Sequence, residues 1–172
     1  MLRNKTFQNR DTLKQLFKYF SDDAIMAEIG SFEGSSTIVW ARKFKKIYCI
    51  DPWLGVLFKG DLEVERTYEI FRERTALLYN VVPIRKTSKE GSFDFSDNVL
   101  DFVYIDALHD YESVKEDIAI WLPKVKDTGY IGGHDYANPQ LPDVKKAVDE
   151  VLGIPQIIDT EFSWLIAKKD IK

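Results

Sequence analysis

Two histidines occur in the chain, and each stands beside an aspartate just after an apolar run. His109-Asp110 follows Val99 to Ile105, and His134-Asp135 follows Tyr130-Ile131-Gly132-Gly133. An imidazole next to a carboxylate can act as a general base oriented by its acid. The same groups can instead hold a divalent cation as a mixed set of oxygen and nitrogen ligands. Asp106, in the same stretch as His109, fits either use. Taken alone, Asp106 also reads as a turn or helix-capping residue, and a lone histidine is more often a surface or core group than a catalyst. If the two runs are neighbouring strands, their backbones lie roughly 4.8 Å apart and the side chains after them converge. The catalytic candidates are therefore His109 and Asp106, and the metal candidates are Asp106, His134 and Asp135. Spacing alone leaves both uses open.

A second chemical stretch lies near the start of the chain. Ala24-Ile25-Met26-Ala27-Glu28-Ile29 is a short apolar run ending in an acid, and Gly30-Ser31-Phe32-Glu33-Gly34-Ser35-Ser36-Thr37 reads as a tight turn that opens a helix. Glycine suits such a turn because the backbone takes φ > 0 there and because a missing Cβ lets a ligand reach the main chain. Asp51 ends the next apolar run, at the distance along a βαβ unit where an acid can accept hydrogen bonds from ribose hydroxyls. The glycine spacing is not the Gly-x-Gly-x-x-Gly that seats a pyrophosphate on a helix N-terminus, and Glu28 and Glu33 would repel one. A ligand with a ribose, no phosphate and a cationic end fits better, which is the description of S-adenosylmethionine. The cofactor candidates are Glu28, Gly30, Ser31, Phe32, Gly34, Ser36, Asp51, Trp53, Ser88, Asp106 and Ala107. Trp53 would wall the site, and Thr87-Ser88 would either present hydroxyls to an adenine or cap a turn.

These residues are set out by alternating strands and helices. Leu13, Leu16, Phe17 and Phe20 predict an amphipathic helix over Asp11 to Phe20, an N-terminal cover within residues 1–22. Strands are predicted at Ile25 to Ile29, Lys46 to Ile50, Val81 to Arg85, Val99 to Ile105 and Tyr130 to Gly133. Helices are predicted from about Ser35 to Lys43, over Leu62 to Tyr79, after Asp110 up to Pro123, and from Pro142 or Asp143 to Gly153. The segment Pro52 to Phe58 reads as an apolar loop, either a lid or a stretch tucked into the core. Turns are expected at Gly91 to Asn98 and at Asp127-Thr128-Gly129, and Gln156 to Asp159 with Phe162 to Lys168 forms a terminal antiparallel hairpin. The expected fold class is α/β, doubly wound and Rossmann-like, with a mostly parallel sheet. In such sheets ligands bind beyond the carboxyl ends of the strands, where nearly all the chemically distinctive residues fall.

With 172 residues, 45% of them hydrophobic and 30% charged, the chain is expected to be one soluble domain, 1–172. A net charge of −4, with cations scattered among acids, offers no footprint for nucleic acid. No run is long enough for a membrane span or signal peptide. Cys49, in a predicted buried strand, has no partner for an internal disulfide. A cytoplasmic setting is expected, and homo-oligomerisation is left open.

The segments Glu28 to Thr37, Ile50-Asp51-Pro52-Trp53, Asp101 to Tyr111 and Gly132-Gly133-His134-Asp135-Tyr136 resemble the small class I S-adenosylmethionine-dependent methyltransferases. Within them, the match is to the O-methyltransferase-like subgroup with an Asp-x-x-His-x-Tyr strand end, here Asp106 to Tyr111. The resemblance covers about residues 24 to 168. It implies seven strands in the order 3-2-1-4-5-7-6, with the seventh antiparallel. It also implies that Glu28, Gly30 and Gly34 surround the methionine part of the cofactor, that Asp51 holds the ribose and that His109 is the base. Metal-dependent members bind magnesium through the acid at Asp106 and two acids ending the fifth strand. This chain has His134-Asp135 there, a departure that disfavours an ion preferring all-oxygen coordination.

The function expected is methyl transfer from S-adenosylmethionine to a hydroxyl of a small acceptor, a sugar or secondary metabolite, with a divalent cation as an open question. One rival is a non-catalytic nucleoside-binding module of the same fold. The other is a nicotinamide-dependent oxidoreductase, disfavoured by the glycine spacing and by the lack of a second, substrate-binding domain.

Overall fold

A computed structural model of the chain describes residues 10–54, 62–157 and 162–171. Seven strands form one sheet in the order β3-β2-β1-β4-β5-β7-β6. They are β1 (Ile25–Ile29), β2 (Lys46–Ile50), β3 (Val81–Ile84), β4 (Leu100–Ile105), β5 (Val125–Gly133), β6 (Gln156–Ile157) and β7 (Trp164–Ala167). The pairs β1–β2, β1–β4, β2–β3 and β4–β5 are parallel, whereas β7 runs antiparallel to both β5 and β6. Order and direction agree with those the resemblance implies. Among the described residues no helix is long and apolar enough to cross a membrane.

The period-two alternation of the strands explains the two layers of core. Met26, Ile47, Cys49, Phe102 and Tyr104 face one side, where Leu13, Leu16, Trp40, Phe44 and Phe71 cover them. The intervening residues Ala27, Ile29, Ile50, Val103 and Ile105 face the other, under Val114, Ile118, Trp121, Ala147 and Val148. Central strands buried on both faces read as unbroken apolar runs, as Phe102-Val103-Tyr104-Ile105 does. The cover is a 3-10 helix, Asp11–Tyr19. The α-helices among the described residues are α1 (Ser35–Trp40), α2 (Leu62–Thr75), α3 (Ser88–Ser92), α4 (Tyr111–Trp121) and α5 (Pro142–Leu152).

Several boundaries differ from expectation. The helices α1 and α2 stop earlier than predicted, and α2 leaves Leu77 and Tyr79 almost fully exposed. The turn expected at Asp127-Thr128-Gly129 lies inside β5, absorbed as a register shift between the pairs Leu100↔Val125 and Phe102↔Tyr130. Helix α3 was not expected. Thr87 caps it, accepting from the Glu90 N–H while the Glu90 carboxylate accepts from the Thr87 N–H. Gly91 sits inside that helix because a Cβ there would lie 2.8 Å from Ile50, so the glycine serves close packing instead of a turn. The stretch Gly55 to Phe58 of the apolar loop, and positions 158 to 161 of the terminal hairpin, lie outside the described residues.

Candidate active site

A cavity of about 480 Å³ opens beyond the carboxyl ends of β1, β2 and β4 and against the start of α3. Its floor is the turn after β1. Gly30 takes φ +87°, and a Cβ there would lie 2.3 Å from the Asp106 carbonyl oxygen, so the ends of β1 and β4 can close up only around a glycine. The Asp106 N–H locks that closure by donating to Ile29 O at 2.8 Å, and the Gly30 N–H ties the turn to β2 by donating to Ile50 O at 2.8 Å. Ser31, Phe32 and Ser36 line the cavity. The Ser31 hydroxyl is buried at this wall with no hydrogen-bond partner among the described residues.

Glu28 and Gly34 are cofactor candidates that do not line the cavity. Glu28 is fully buried beneath the turn, where its carboxylate accepts from the Thr37 hydroxyl and, more weakly, from the Cys49 thiol at 3.7 Å. Burial pushes both groups upward in pKa, the thiol well above its ordinary value. Gly34 opens α1 in a left-handed conformation, with the Phe71 ring 3.1 Å from where a Cβ would be.

Asp51 lines the cavity and ties its walls together. Its two carboxylate oxygens accept from the Phe32 N–H at 2.9 Å and the Trp53 N–H at 2.7 Å. Burial raises its pKa against those bonds. Trp53 does not wall the site as expected. Its ring packs on Tyr68 and Phe71, with centroids 4.8 and 4.7 Å away, and its indole N–H donates to Phe32 O at 2.8 Å. Pro52 and the exposed Leu54, on either side of it in sequence, line the cavity instead. Ser88 lines the far wall and Ala107 the near one.

At the β4 end, the convergence expected of the two histidines is present because β4 and β5 are parallel neighbours. His109 Nε2 lies 3.0 Å from Asp135 Oδ2 and 3.5 Å from Asp106 Oδ1. His134 Nδ1 lies 2.9 Å from the same Asp135 oxygen, and Asn138 Nδ2 donates to the other at 2.7 Å. Asp106 and Asp135 hold the His109 imidazolium, raising its pKa to about 9. Burial opposes ionisation of Asp135, yet the imidazole of His109 beside it and hydrogen bonds with His134 and Asn138 win and hold its carboxyl well below the usual range. Ligand atoms of Asp106, His134 and Asp135 all lie within 4.8 Å of one another, a grouping that could hold a metal ion. His109 and Asp106 line the cavity, whereas His134 stands behind them.

Sequence reasoning missed three residues here. Arg10 lines the cavity and pairs with Asp106 at 3.3 Å, a contact between positions 96 apart that no local pattern announces. Leu108, about half exposed, lines the mouth between Ala107 and His109. Asp117 is buried in α4, accepting from the Ser88 hydroxyl. A signal for it existed, since Val114, Asp117 and Trp121 share helical spacing and put an acid on the apolar face.

A family model described as a methyltransferase domain matches residues 27–136. An uncharacterised protein of Acanthamoeba polyphaga mimivirus is 30% identical over 142 residues, 76% of this chain. Another, from Sinorhizobium fredii, is 26% identical over 88 residues, 51% of this chain. The chain spans 60% of the length of the viral protein and 10% of the bacterial one. Among solved structures, the apo form of a TDP-rhamnose 3'-O-methyltransferase of calicheamicin biosynthesis superposes with a TM-score of 0.68 at 16% identity, covering 96% of this chain and 82% of that one. A phosphoethanolamine N-methyltransferase of Haemonchus contortus, in complex with phosphoethanolamine and S-adenosylhomocysteine, gives 0.55 at 18% identity over 76% of this chain and 26% of that one. At these identities the likeness to solved structures is one of fold.

Proposed function

Because the chain belongs to the methyltransferase domain family matched over residues 27–136, we propose that it moves the sulfonium methyl of S-adenosylmethionine to a hydroxyl oxygen of a small molecule, with His109 as the base. The observation that carries this reading is the position of His109, on the wall of the same cavity as Asp51 and in contact with two carboxylates.

The residues present fit that cofactor. A cavity of about 480 Å³ is the size of a nucleoside ligand's site. The Asp51 carboxylate accepts from the N–H groups of Phe32 and Trp53, and with about four lone-pair sites it keeps acceptor capacity for ribose hydroxyls. The unpartnered Ser31 hydroxyl offers a polar contact where the methionine part would lie. When bound, the cofactor supplies an electrophilic methyl group.

The chain's part is to align the acceptor and take its proton. With Nε2 of His109 turned to Asp135 and Asp106, Nδ1 is the nitrogen left to remove the hydroxyl proton as the new C–O bond forms. Asp135 orients the ring, and it is itself fixed by His134 and Asn138. Leu54, Leu108 and Phe32 give the mouth exposed apolar surface, and Arg10 gives it a cation. This suits a sugar or secondary metabolite with an apolar face.

A second reading adds a divalent cation held by Asp106, His134 and Asp135 that would polarise the acceptor oxygen. An imidazole in the set suits manganese, iron or zinc better than magnesium. We favour the first reading, because Arg10 and His109 already face the carboxylates of Asp106 and Asp135.

The test is incubation with S-adenosylmethionine labelled at its methyl group and a panel of hydroxylated sugars and phenols. Label in an O-methyl product is expected. A protein that binds S-adenosylhomocysteine yet labels nothing would be the binding module, and one that prefers NAD would be the oxidoreductase.

A further inference from the structure

Among the described residues that line the cavity, Arg10 is the one with a permanent positive charge. Its backbone is anchored: it stands just before the 3-10 cover, its carbonyl accepts from the Leu13 N–H at 3.0 Å, and Leu13 is fully buried. Its side chain is 14% exposed. The guanidinium meets Asp106 end-on, Nη2 to Oδ2 at 3.3 Å, whereas the other carboxylate oxygen, Oδ1, lies 3.5 Å from His109 Nε2. A guanidinium serving a carboxylate alone favours the fork that engages both oxygens. Here one carboxylate is shared between a cation and the base, so the two stand side by side on the same wall, within the span of one small acceptor.

The acids of the lining do not oppose an anion at that place. Glu33 is paired with Arg74 at 3.1 Å, Asp51 accepts from the N–H groups of Phe32 and Trp53, and Asp106 is faced by Arg10 and His109. A guanidinium presents its N–H donors in one plane, a shape that matches the oxygens of a carboxylate or a phosphate. On the transfer reading above, on which this inference rests, whatever Arg10 meets lies beside the hydroxyl that gives its proton to His109. We propose that Arg10 selects acceptors that carry a carboxylate or phosphate next to the reactive hydroxyl. Arg10 is then a specificity residue for the acceptor.

Initial rates with acceptors that differ in the anion test this: glucuronate and glucose 6-phosphate against glucose, and 3,4-dihydroxybenzoate against its methyl ester. The wild-type protein is expected to favour the anionic member in kcat/KM by roughly tenfold or more, the worth of one charge-assisted hydrogen bond. The two glucose derivatives tell carboxylate from phosphate. Arg10→Ala should bring each ratio near unity, mainly through KM, and Arg10→Lys should restore part of the preference by keeping the charge without the fork.

An Arg10 that only holds Asp106 would, when replaced, slow both members of a pair by the same factor, and the unchanged ratio would overturn the proposal. So would an Arg10→Ala protein that keeps the ratio and loses affinity for S-adenosylhomocysteine, since the guanidinium would then serve the cofactor. Equal wild-type rates on neutral and anionic acceptors would overturn it with methyl transfer intact. Label in none of these acceptors, from a protein that binds S-adenosylhomocysteine, would bring down the transfer reading and the proposal together.

Discussion

His109 Nε2 and Asp135 Oδ2 stand 3.0 Å apart although they come from different strand ends, and the backbone of Asp135 is left-handed, at φ 64°. A non-glycine residue in that conformation is held there by its surroundings, here by His134 and Asn138. If this contact orients a base, His109→Ala should lower methyl transfer by about 10²–10⁴. Affinity for S-adenosylhomocysteine should stay close to wild type, whereas the melting temperature should fall, because Asp106 and Asp135 lose the imidazole that faces them. Equal loss of binding and rate would mean that the ring holds the ligand instead.

The pH dependence follows from the same pair. Asp106 and Asp135 favour the charged ring and raise its pKa to about 9, so below that value most molecules hold the base protonated. The rate should rise with pH and level off above about 9. Asp135→Asn removes one stabilising carboxylate and should move the plateau to lower pH. A wild-type profile flat between neutrality and 9 would exclude His109 as the titrating base.

Asp51 has a structural and a binding role that two variants can separate. Asp51→Ala should weaken cofactor affinity by about 1.5–3 kcal/mol if the charged acceptor meets the ribose. It should also lower the melting temperature, since the N–H groups of Phe32 and Trp53 lose their acceptor. Asp51→Asn retains an oxygen and should recover more stability than affinity. Unchanged affinity in both would leave Asp51 only its structural role.

Gly30→Ala should destabilise the fold by about 1–3 kcal/mol through overpacking, with added strain from φ +87°. Gly34→Ala should cost less, because its nearest neighbour is the edge of the Phe71 ring at 3.1 Å and not a backbone carbonyl at 2.3 Å. Thermal melts of the two variants give the comparison, and equal melting temperatures would contradict it.

Dialysis against EDTA should leave activity in place, given that Arg10 and His109 already face the two carboxylates. Activity lost on chelation and restored by Mn²⁺ would instead assign Asp106, His134 and Asp135 as metal ligands.

Much of the frame was legible because burial on both faces writes itself as apolar runs, as in Phe102 to Ile105, and because turns advertise their glycines. The residues that carry chemistry stood out for the same reason: His109 and His134 interrupt such runs at their ends. Side-chain direction in loops was not legible. Trp53 next to Asp51 could turn either way, and only the ring stack with Tyr68 and Phe71 decides that it turns inward. Arg10 escaped for a different cause, since its partner Asp106 is remote in sequence and the pairing exists only once the cover packs on the sheet. Tyr111, part of the motif that suggested the family, is a clamp between helices: its hydroxyl donates to Glu150 of α5 at 2.6 Å.

The close approach of Gly30 to the Asp106 carbonyl divides the cavity into two parts with different freedom to vary. The floor is main chain, fixed by glycine and strand pairing, so almost any substitution there disturbs the sheet itself. The mouth is built from the side chains of Leu54 and Leu108, exposed to solvent and engaged in no strand. On the function proposed above, substitutions of Leu54 and Leu108 should change acceptor range with little effect on the fold, so directed evolution of that range should begin with those two leucines.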